Sequence, residues 1–434
     1  MTARPLVDEV LALTPQATPR RLKLVAGALI ALGGVGVGAG FGWRDGAAGW
    51  VALLTATSLV IGLGVVGTLL SAIFELTHAR WGRAYRRLAE ASIALAPIGL
   101  LGLLVLLVGG SAYLPWVHEH PDVGGKAIWL TRGFWDARVL IALLVADGLA
   151  LAFLYHALRR DFCVEGVAKR WPGWPGRWLG RNIVDREVER ARCEARLQPL
   201  AVALCLGFGV CFSLLGFDLI MALDPEWIST LFGAWYFIGH LFAGLAALGI
   251  IGVVSRRAFK LERFLSVERQ ADLATLLFAF CLLNTDFFWS QLLTIWYGNL
   301  PDETHYVIER GIDARLPWPT LSWIAIAGFF AIPFVALLFR RVKRSDLLLT
   351  LLASIVVASI FLVRFIEIAP PLLHLGAGAT LTEALVPLLA AALTLAGMLG
   401  AGAWLYGALL TAVPLLPVGD PIFAAEFGRP EVTP

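Results

Sequence analysis

Charge is scarce in this chain. Asp, Glu, Lys and Arg make up only 15% of 434 residues, against about 25% in soluble domains. That is too little to keep a protein of this size in water. Net charge is +3, so no general attraction to nucleic acid follows. The five cysteines (Cys163, Cys193, Cys205, Cys211, Cys281) form no C-x-x-C, no C-x-x-C-H and no cluster with metal-ligand spacing. Iron–sulfur, covalent haem and disulfide are therefore not expected. Histidine is equally sparse. His240 alone falls in the middle of an apolar run; His156 and His374 stand at run ends, and His78, His118, His120 and His305 fall between runs. A membrane haem with two histidine ligands needs a facing pair, which this pattern excludes.

What the chain has instead is hydrophobic length. The mean hydropathy is +0.77, and 59% of residues are hydrophobic. Ten runs are long enough, or nearly so, to cross about 30 Å of hydrocarbon as helices of about 20 residues. They are Leu24–Phe41, Trp50–Phe74, Ala91–Leu114, Val139–Leu158, Pro199–Met221, Ile228–Val254, Leu273–Trp296, Leu321–Phe339, Leu347–Ile368 and Leu385–Leu410. The expected fold is an all-α integral membrane protein with about ten transmembrane helices.

The connections alternate in charge. Taking each run as one crossing, one side collects 28 of the 35 Lys and Arg residues. These include Arg80, Arg83, Arg86 and Arg87, the ten of the Arg159–Arg196 loop, and Arg429. The other side has only Arg44, Lys126, Arg132, Arg138, Arg310 and Arg315, with Arg364 inside a run. The positive-inside rule then places both termini in the cytoplasm, and a bacterial inner membrane is the expected location. The first twenty residues are polar with no apolar run, so they read as a cytoplasmic tail and not as a signal peptide.

The organisation expected is a tail (1–22), a peripheral helix (23–46) and a first four-helix bundle (47–222) with a cytoplasmic loop at 159–197. A second four-helix bundle (223–369) and a last helix with its tail (370–434) follow. The first run has Gly34 and Gly38, and Gly36 and Gly40, at i,i+4; the last has Gly397, Gly400 and Gly402. Small residues let membrane helices approach closely, so both runs read as flanking helices. A weak repeat relates the halves: a basic turn, then a carboxylate (Glu90, Asp272), then a long apolar run. The loop Trp171-Pro172-Gly173-Trp174-Pro175-Gly176-Arg177-Trp178 reads as an interfacial turn, and Asp185–Arg190 as a short surface helix.

Chemistry has few places to reside. A charge at mid-bilayer costs about 2.5–3.5 kcal/mol on insertion scales, so such groups face the bundle interior, a partner or water. The candidates are Asp147, Asp218, His240, Asp286, Arg364 and Glu367. Tyr236 precedes His240 by one turn, and Asn284, Ser290 and Gln291 accompany Asp286. Each also has a plain structural reading: an internal ion pair for Arg364 with Glu367, a bonded turn for Asp218, a packed ring for His240. Asp286, central in its run, is the sharpest candidate for a proton relay.

Two strings carry a family resemblance. One is Gly216-Phe217-Asp218-Leu219-Ile220-Met221-Ala222-Leu223-Asp224-Pro225-Glu226-Trp227-Ile228-Ser229-Thr230. The other is Trp289-Ser290-Gln291-Leu292-Leu293-Thr294-Ile295-Trp296-Tyr297-Gly298-Asn299-Leu300-Pro301-Asp302-Glu303-Thr304. Both, with Leu70–Phe74 through Ala89-Glu90-Ala91, resemble the second large membrane subunit of alternative complex III, a bacterial quinol:cytochrome c oxidoreductase. The match covers about a third of the chain. The resemblance implies an NrfD-like (polysulfide-reductase-type) subunit of two four-helix bundles plus flanking helices. It implies as partners an iron–sulfur protein, multihaem c-type cytochromes and a homologous membrane subunit. No redox cofactor is expected on this chain; quinol belongs to the complex. Asp218, Asp224, Trp227, Gln291 and Glu303 fall within the strings, whereas Asp286 and Asn284 precede the second.

The function expected is therefore a membrane subunit of a quinol-oxidising respiratory complex, contributing a proton path, a quinone-side scaffold or both, without its own redox cofactor. Its proton path would draw on Asp286, Gln291, His240, Tyr236, Asp218, Arg364, Glu367 and Asp147. A secondary transporter with intramembrane carboxylates is the alternative, weakened by the lack of Gly/Pro-broken helices at matching places in the two halves.

Overall fold

The computed structural model describes residues 4–119, 126–171, 173–313, 317–375 and 378–428, without the side chains of Arg4, His118, Glu119 and Trp174. His120, Pro172, Arg315 and Arg429 lie outside the described residues. Among those described, secondary structure is helical throughout, with no strand. Ten helices are long and apolar enough to cross a membrane. In chain order, spans 1 to 5 are Arg20–Phe41, Ala47–Leu76, Arg83–Tyr113, Arg132–Phe162 and Arg186–Leu223. Spans 6 to 10 are Phe232–Ala258, Val267–Gly298, Trp318–Leu338, Asp346–Leu373 and Leu381–Ala412. The chain is a multi-pass, all-α membrane protein.

Boundaries follow local chemistry. Asp185 caps span 5 by accepting from the Glu187 and Val188 amides at 2.9 and 3.1 Å. Thr380 and Glu383 close a capping box at the start of span 10. Asn299 (φ 48°) and His374 (φ 44°) end spans 7 and 9 in the left-handed region. Two expectations shift here. The Asp185–Arg190 segment is no separate surface helix, because its cap starts a single helix from Arg186 through Leu219. The sixth helix starts at Phe232, not Ile228, since residues 224–231 bend around Asp224 and Pro225.

Span 2 is the axis of the fold, with 83% of its most apolar stretch buried inside the protein. It packs against spans 3, 5, 6, 9 and 10. Spans 2 to 5 form one group, in which 4 lies along 5, while spans 6 to 9 form another, in which 6 contacts 7 and 9 and span 8 contacts 7 and 9. Spans 1 and 10 pack on each other, and both pack on span 2. Gly33 meets Gly397 backbone to backbone, Gly36 meets Leu393 Cβ and the Thr394 backbone, and Gly400 meets Leu29 Cβ; a Cβ at any of these glycines would clash. Gly34 and Gly38, expected to share that role, face open space. The close-packed seam therefore uses one face of the glycine-rich helix, not both.

Span 3 is irregular. It passes through a 3₁₀ stretch at Ala91–Leu95, directly after Glu90. Span 8 has a π turn at Ala327–Ala331. These breaks do not fall at matching positions, because span 7, the counterpart of span 3, is continuous. The sequence repeat also fails in detail: Glu90 is buried, whereas Asp272 is exposed.

The end of the molecule where odd-numbered spans begin holds a buried ionic network. Its members are Arg83, Arg86, Arg87 and Arg160 with Glu75, Glu90, Asp161 and Asp420. Asp420 Oδ2 accepts from Arg83 at 2.8 Å, Arg86 at 2.6 Å and Arg160 at 3.0 Å. Its Oδ1 caps the helix Pro421–Phe427 through the Ile422 and Phe423 amides. Asp161 accepts from Gly419 N at 2.8 Å and from Arg87. The sequence marks these arginines only as part of a basic turn and loop. They turn inward because an apolar C-terminal stretch (Val413, Leu415, Leu416, Val418) is buried against them and delivers the Asp420 carboxylate.

The N-terminal segment is likewise no loose tail. Helix Arg4–Leu13 buries Leu6, Val7 and Val10 on one face, and Thr14 Oγ1 accepts from Leu415 N at 3.2 Å. The tryptophan-rich turn is docked as well, since Trp171 Nε1 donates to Thr411 O at 2.8 Å.

Burial alone would raise the Asp420 pKa. Attraction to Arg86, Arg160 and Arg83 outweighs it and holds the carboxyl well below the ordinary range. A depressed pKa contributes stability that is fully present above the unfolded value and is lost as pH falls through the folded one. The C-terminal segment should therefore stay docked through mild acid, where exposed aspartates already titrate. Asp420→Ala removes one partner of a buried cluster and should cost about 3–5 kcal/mol. Limited proteolysis at residues 413–428 across pH reads both effects, and a C-terminus equally protected in the variant would contradict them.

Candidate functional site

Toward the other end, the second group of helices encloses a polar interior. Tyr236 and His240 come from span 6, Asn284 and Gln291 from span 7, Arg364 and Glu367 from span 9, and all six are buried. Arg364 donates to Glu367 Oε2 at 2.6 Å, one turn away on the same helix. The Arg364 guanidinium lies 4.5 Å from the Tyr236 ring and 5.7 Å from that of Trp235. Gly239 is the meeting point: a Cβ there would stand 3.0 Å from Arg364 and 3.5 Å from Asn284 Oδ1.

His240 is held by carbonyl oxygens on both sides. Nδ1 lies 2.8 Å from Tyr236 O, and Nε2 lies 2.9 Å from Ser58 O on span 2. Carbonyl oxygens only accept. A neutral imidazole has one N–H and satisfies one of them, whereas the imidazolium satisfies both. The Tyr236 hydroxyl points to the same Ser58 oxygen at 3.4 Å. Gly62 makes room for this arrangement, because a Cβ at that position would overlap the His240 ring.

A second layer closes the site. Trp227 stacks on Tyr306, with centroids 3.7 Å apart and planes within 5°. Arg310 covers the Tyr306 ring at 3.6 Å and donates to Ile366 O at 3.2 Å. His305 Nε2 lies 2.8 Å from Asp224 Oδ2, and Glu303 is half-buried on the same short helix. Burial pushes the Tyr306 hydroxyl above its ordinary pKa, so it stays a donor.

Many polar atoms here lack a partner among the described residues. They are Glu367 Oε1, Arg364 Nε, both amide atoms of Asn284, Gln291 Oε1, Tyr306 OH and Trp227 Nε1. Buried polar groups in such a set are served by internal water, which needs two to four of them at once. The geometry can therefore hold a proton at Glu367 or His240 and orient water between them.

The other predicted residues fall elsewhere. Asp286 is exposed on the outward face of span 7, and no hydrogen bond or ion pair among the described residues holds it. It does not face His240 or Glu367. Two residues along a helix turn a side chain by about 200°, so Asn284 takes the interior position that Asp286 was expected to fill. Asp218 is consumed by structure: Arg138 grips it at 2.6 and 2.7 Å, and Trp129 Nε1 donates to it at 3.0 Å. Asp147 is buried in span 4 with no partner at Oδ1, apart from the cluster.

Sequence reading missed Ser58, Gly62, Tyr306 and Arg310. Arg310 counted only as a loop cation, although its i,i+4 spacing from Tyr306 is the signal of a cation on a ring. Among the described residues no cluster of three or more His, Cys, Asp or Glu side chains can hold a metal ion. All five cysteines are free, and burial pushes the Cys163 thiol up to about 11, too high for a nucleophile. No family model matches the chain, and no curated protein matches it.

Gly62→Ala tests the packing of His240. The added methyl should displace the ring and cost about 1–3 kcal/mol as overpacking does, read as a lower Tm in detergent. Gly38→Ala, at an open position, should leave Tm unchanged.

Proposed function

We propose that the chain is a membrane subunit of a bacterial quinol-oxidising respiratory complex of the alternative complex III type. It lies in the cytoplasmic membrane with both termini inside, and it passes protons through the interior of its second helix bundle. The observation that carries the proton reading is the buried Arg364–Glu367 pair beside His240, with one Glu367 oxygen unpaired. The two sequence strings support the complex, and the charge bias of the connections supports the orientation.

In this reading the chain performs no bond chemistry of its own. Glu367 takes a proton on Oε1 while Oε2 stays bonded to Arg364, which offsets the cost of the carboxylate in the interval between protons. His240 holds a proton between two carbonyl oxygens. Asn284 and Gln291 orient the water through which it travels. Electrons stay on the iron–sulfur and haem subunits of the complex, and quinol is oxidised there.

The complex is purified in mild detergent and sealed into liposomes, and protons released per electron are measured with quinol as donor. Glu367→Gln should abolish the translocated component with the complex still assembled, whereas Asp286→Asn should not. An unchanged ratio in both Glu367→Gln and His240→Gln rejects the proton path. A purified chain that brings no haem with it rejects the complex.

A further inference from the structure

Span 7 turns a long stripe of side chains outward at alternating steps of three and four residues: Ala279, Leu282, Asp286, Trp289, Leu293 and Trp296. All are exposed on this chain. Five of them are apolar, and lipid tails cover apolar side chains readily. Asp286 is the exception. The helix runs for 32 residues, Val267–Gly298, and Asp286 lies about 5 Å from its midpoint at 1.5 Å per residue. Lysine and arginine at a span end reach the headgroups on long stems; an aspartate at this depth has no such reach. Its neighbours one turn back are Leu282 and Leu283, which offer no donor, and one turn on the Trp289 indole and Ser290 hydroxyl make no hydrogen bond to it.

We infer that this stripe seats a transmembrane helix of a different chain, and that the incoming helix presents a cationic side chain to Asp286. Spacings of three and four are those by which membrane helices pack at about 20°, with Leu282, Trp289 and Leu293 flanking the carboxylate as the apolar contact. Charge complementarity decides the kind of partner. A second copy of this chain packed on the same stripe would bring two carboxylates together in hydrocarbon, whereas a lysine or arginine gives each charge its counterpart. The inference rests on the reading of the chain as one subunit of a larger complex. It does not depend on the proton path.

The test uses the full chain in its native membrane, with a photo-crosslinking amino acid at Leu282 or Leu293, and at Val108 of span 3 as a control on another exposed face. The stripe positions should cross-link to one other membrane chain, at a peptide with Lys or Arg within a turn of the joined residue. Asp286→Leu should lower the yield at least tenfold, and Asp286→Glu should retain it. Exchanging the charges, with Asp286→Lys against an acidic residue at the partner's cation, should restore it. Cross-links to lipid only, to a second copy, or to a helix without a cation overturn the inference, as does a yield indifferent to Asp286→Leu. Should the Leu variant fail to accumulate, Asp286→Asn replaces it and should give an intermediate yield. Haem is measured in the same preparations. Haem retained without stripe cross-links overturns this inference alone, whereas wild-type chain without haem overturns the complex.

Discussion

A charge enclosed by apolar helices persists only with its counter-charge, and Asp420 is where that constraint gathers the molecule. One oxygen of this carboxylate is shared by Arg83, Arg86 and Arg160, which belong to spans 3 and 4. The other caps the last helix. The Pro421–Phe427 helix is thereby joined to the start of span 3 and the end of span 4. Without Asp420 the three guanidinium groups would keep Glu75 as their one shared partner, with Glu90 reaching only Arg86 of the three. The buried leucines of residues 413–418 would then have nothing ionic to hold them in register. The apolar burial and the ion pairs thus require each other.

The two buried polar regions differ in a way that assigns their roles. At the end held by Asp420, four arginines meet four carboxylates, and both oxygens of Glu90, Asp161 and Asp420 are engaged. Each of these oxygens is held by a guanidinium, a hydroxyl or a backbone amide. Around Glu367 the balance is reversed. A single arginine supplies the ion pair, one carboxylate oxygen is bare, and two amides and a phenol stand nearby with unused hydrogen-bonding capacity. The first region has these carboxylate oxygens bonded, whereas the second leaves one bare, and the proposed proton path rests on that difference. Asp218 belongs with the first kind, because Arg138 and Trp129 occupy both of its oxygens.

Length and hydropathy were enough to read all ten crossings and the flanking character of the first and last, because spanning hydrocarbon sets helix length directly. Facing was not legible. In water an apolar stripe marks the interior, but a lipid-facing side is as apolar as a packed one. Only a neighbour in space distinguishes Asn284 from Asp286, two residues apart and on opposite sides of span 7. The same limit hid Arg83, Arg86, Arg87 and Arg160, which look like any basic turn until Asp420 arrives from the far end of the sequence. One signal was present: Asp420 is the sole charged residue between Glu383 and Glu426. An isolated carboxylate in so apolar a stretch requires a cation elsewhere.

The inward-turned arginines also bear on orientation. Four of the basic residues that bias one end of the protein are neutralised in the folded state by buried carboxylates, so they add no net charge to that surface. The bias nevertheless acts through Lys and Arg themselves and not through net charge, and it acts while helices are being inserted. At that stage the Asp420 segment, last in the chain, has not yet been made. In the proposed orientation, Arg83, Arg86, Arg87 and Arg160 would then be free cations that hold their loops on the cytoplasmic side, becoming the core of a network only afterwards. That order of events would let a surface-like sequence pattern end at the centre of a buried cluster.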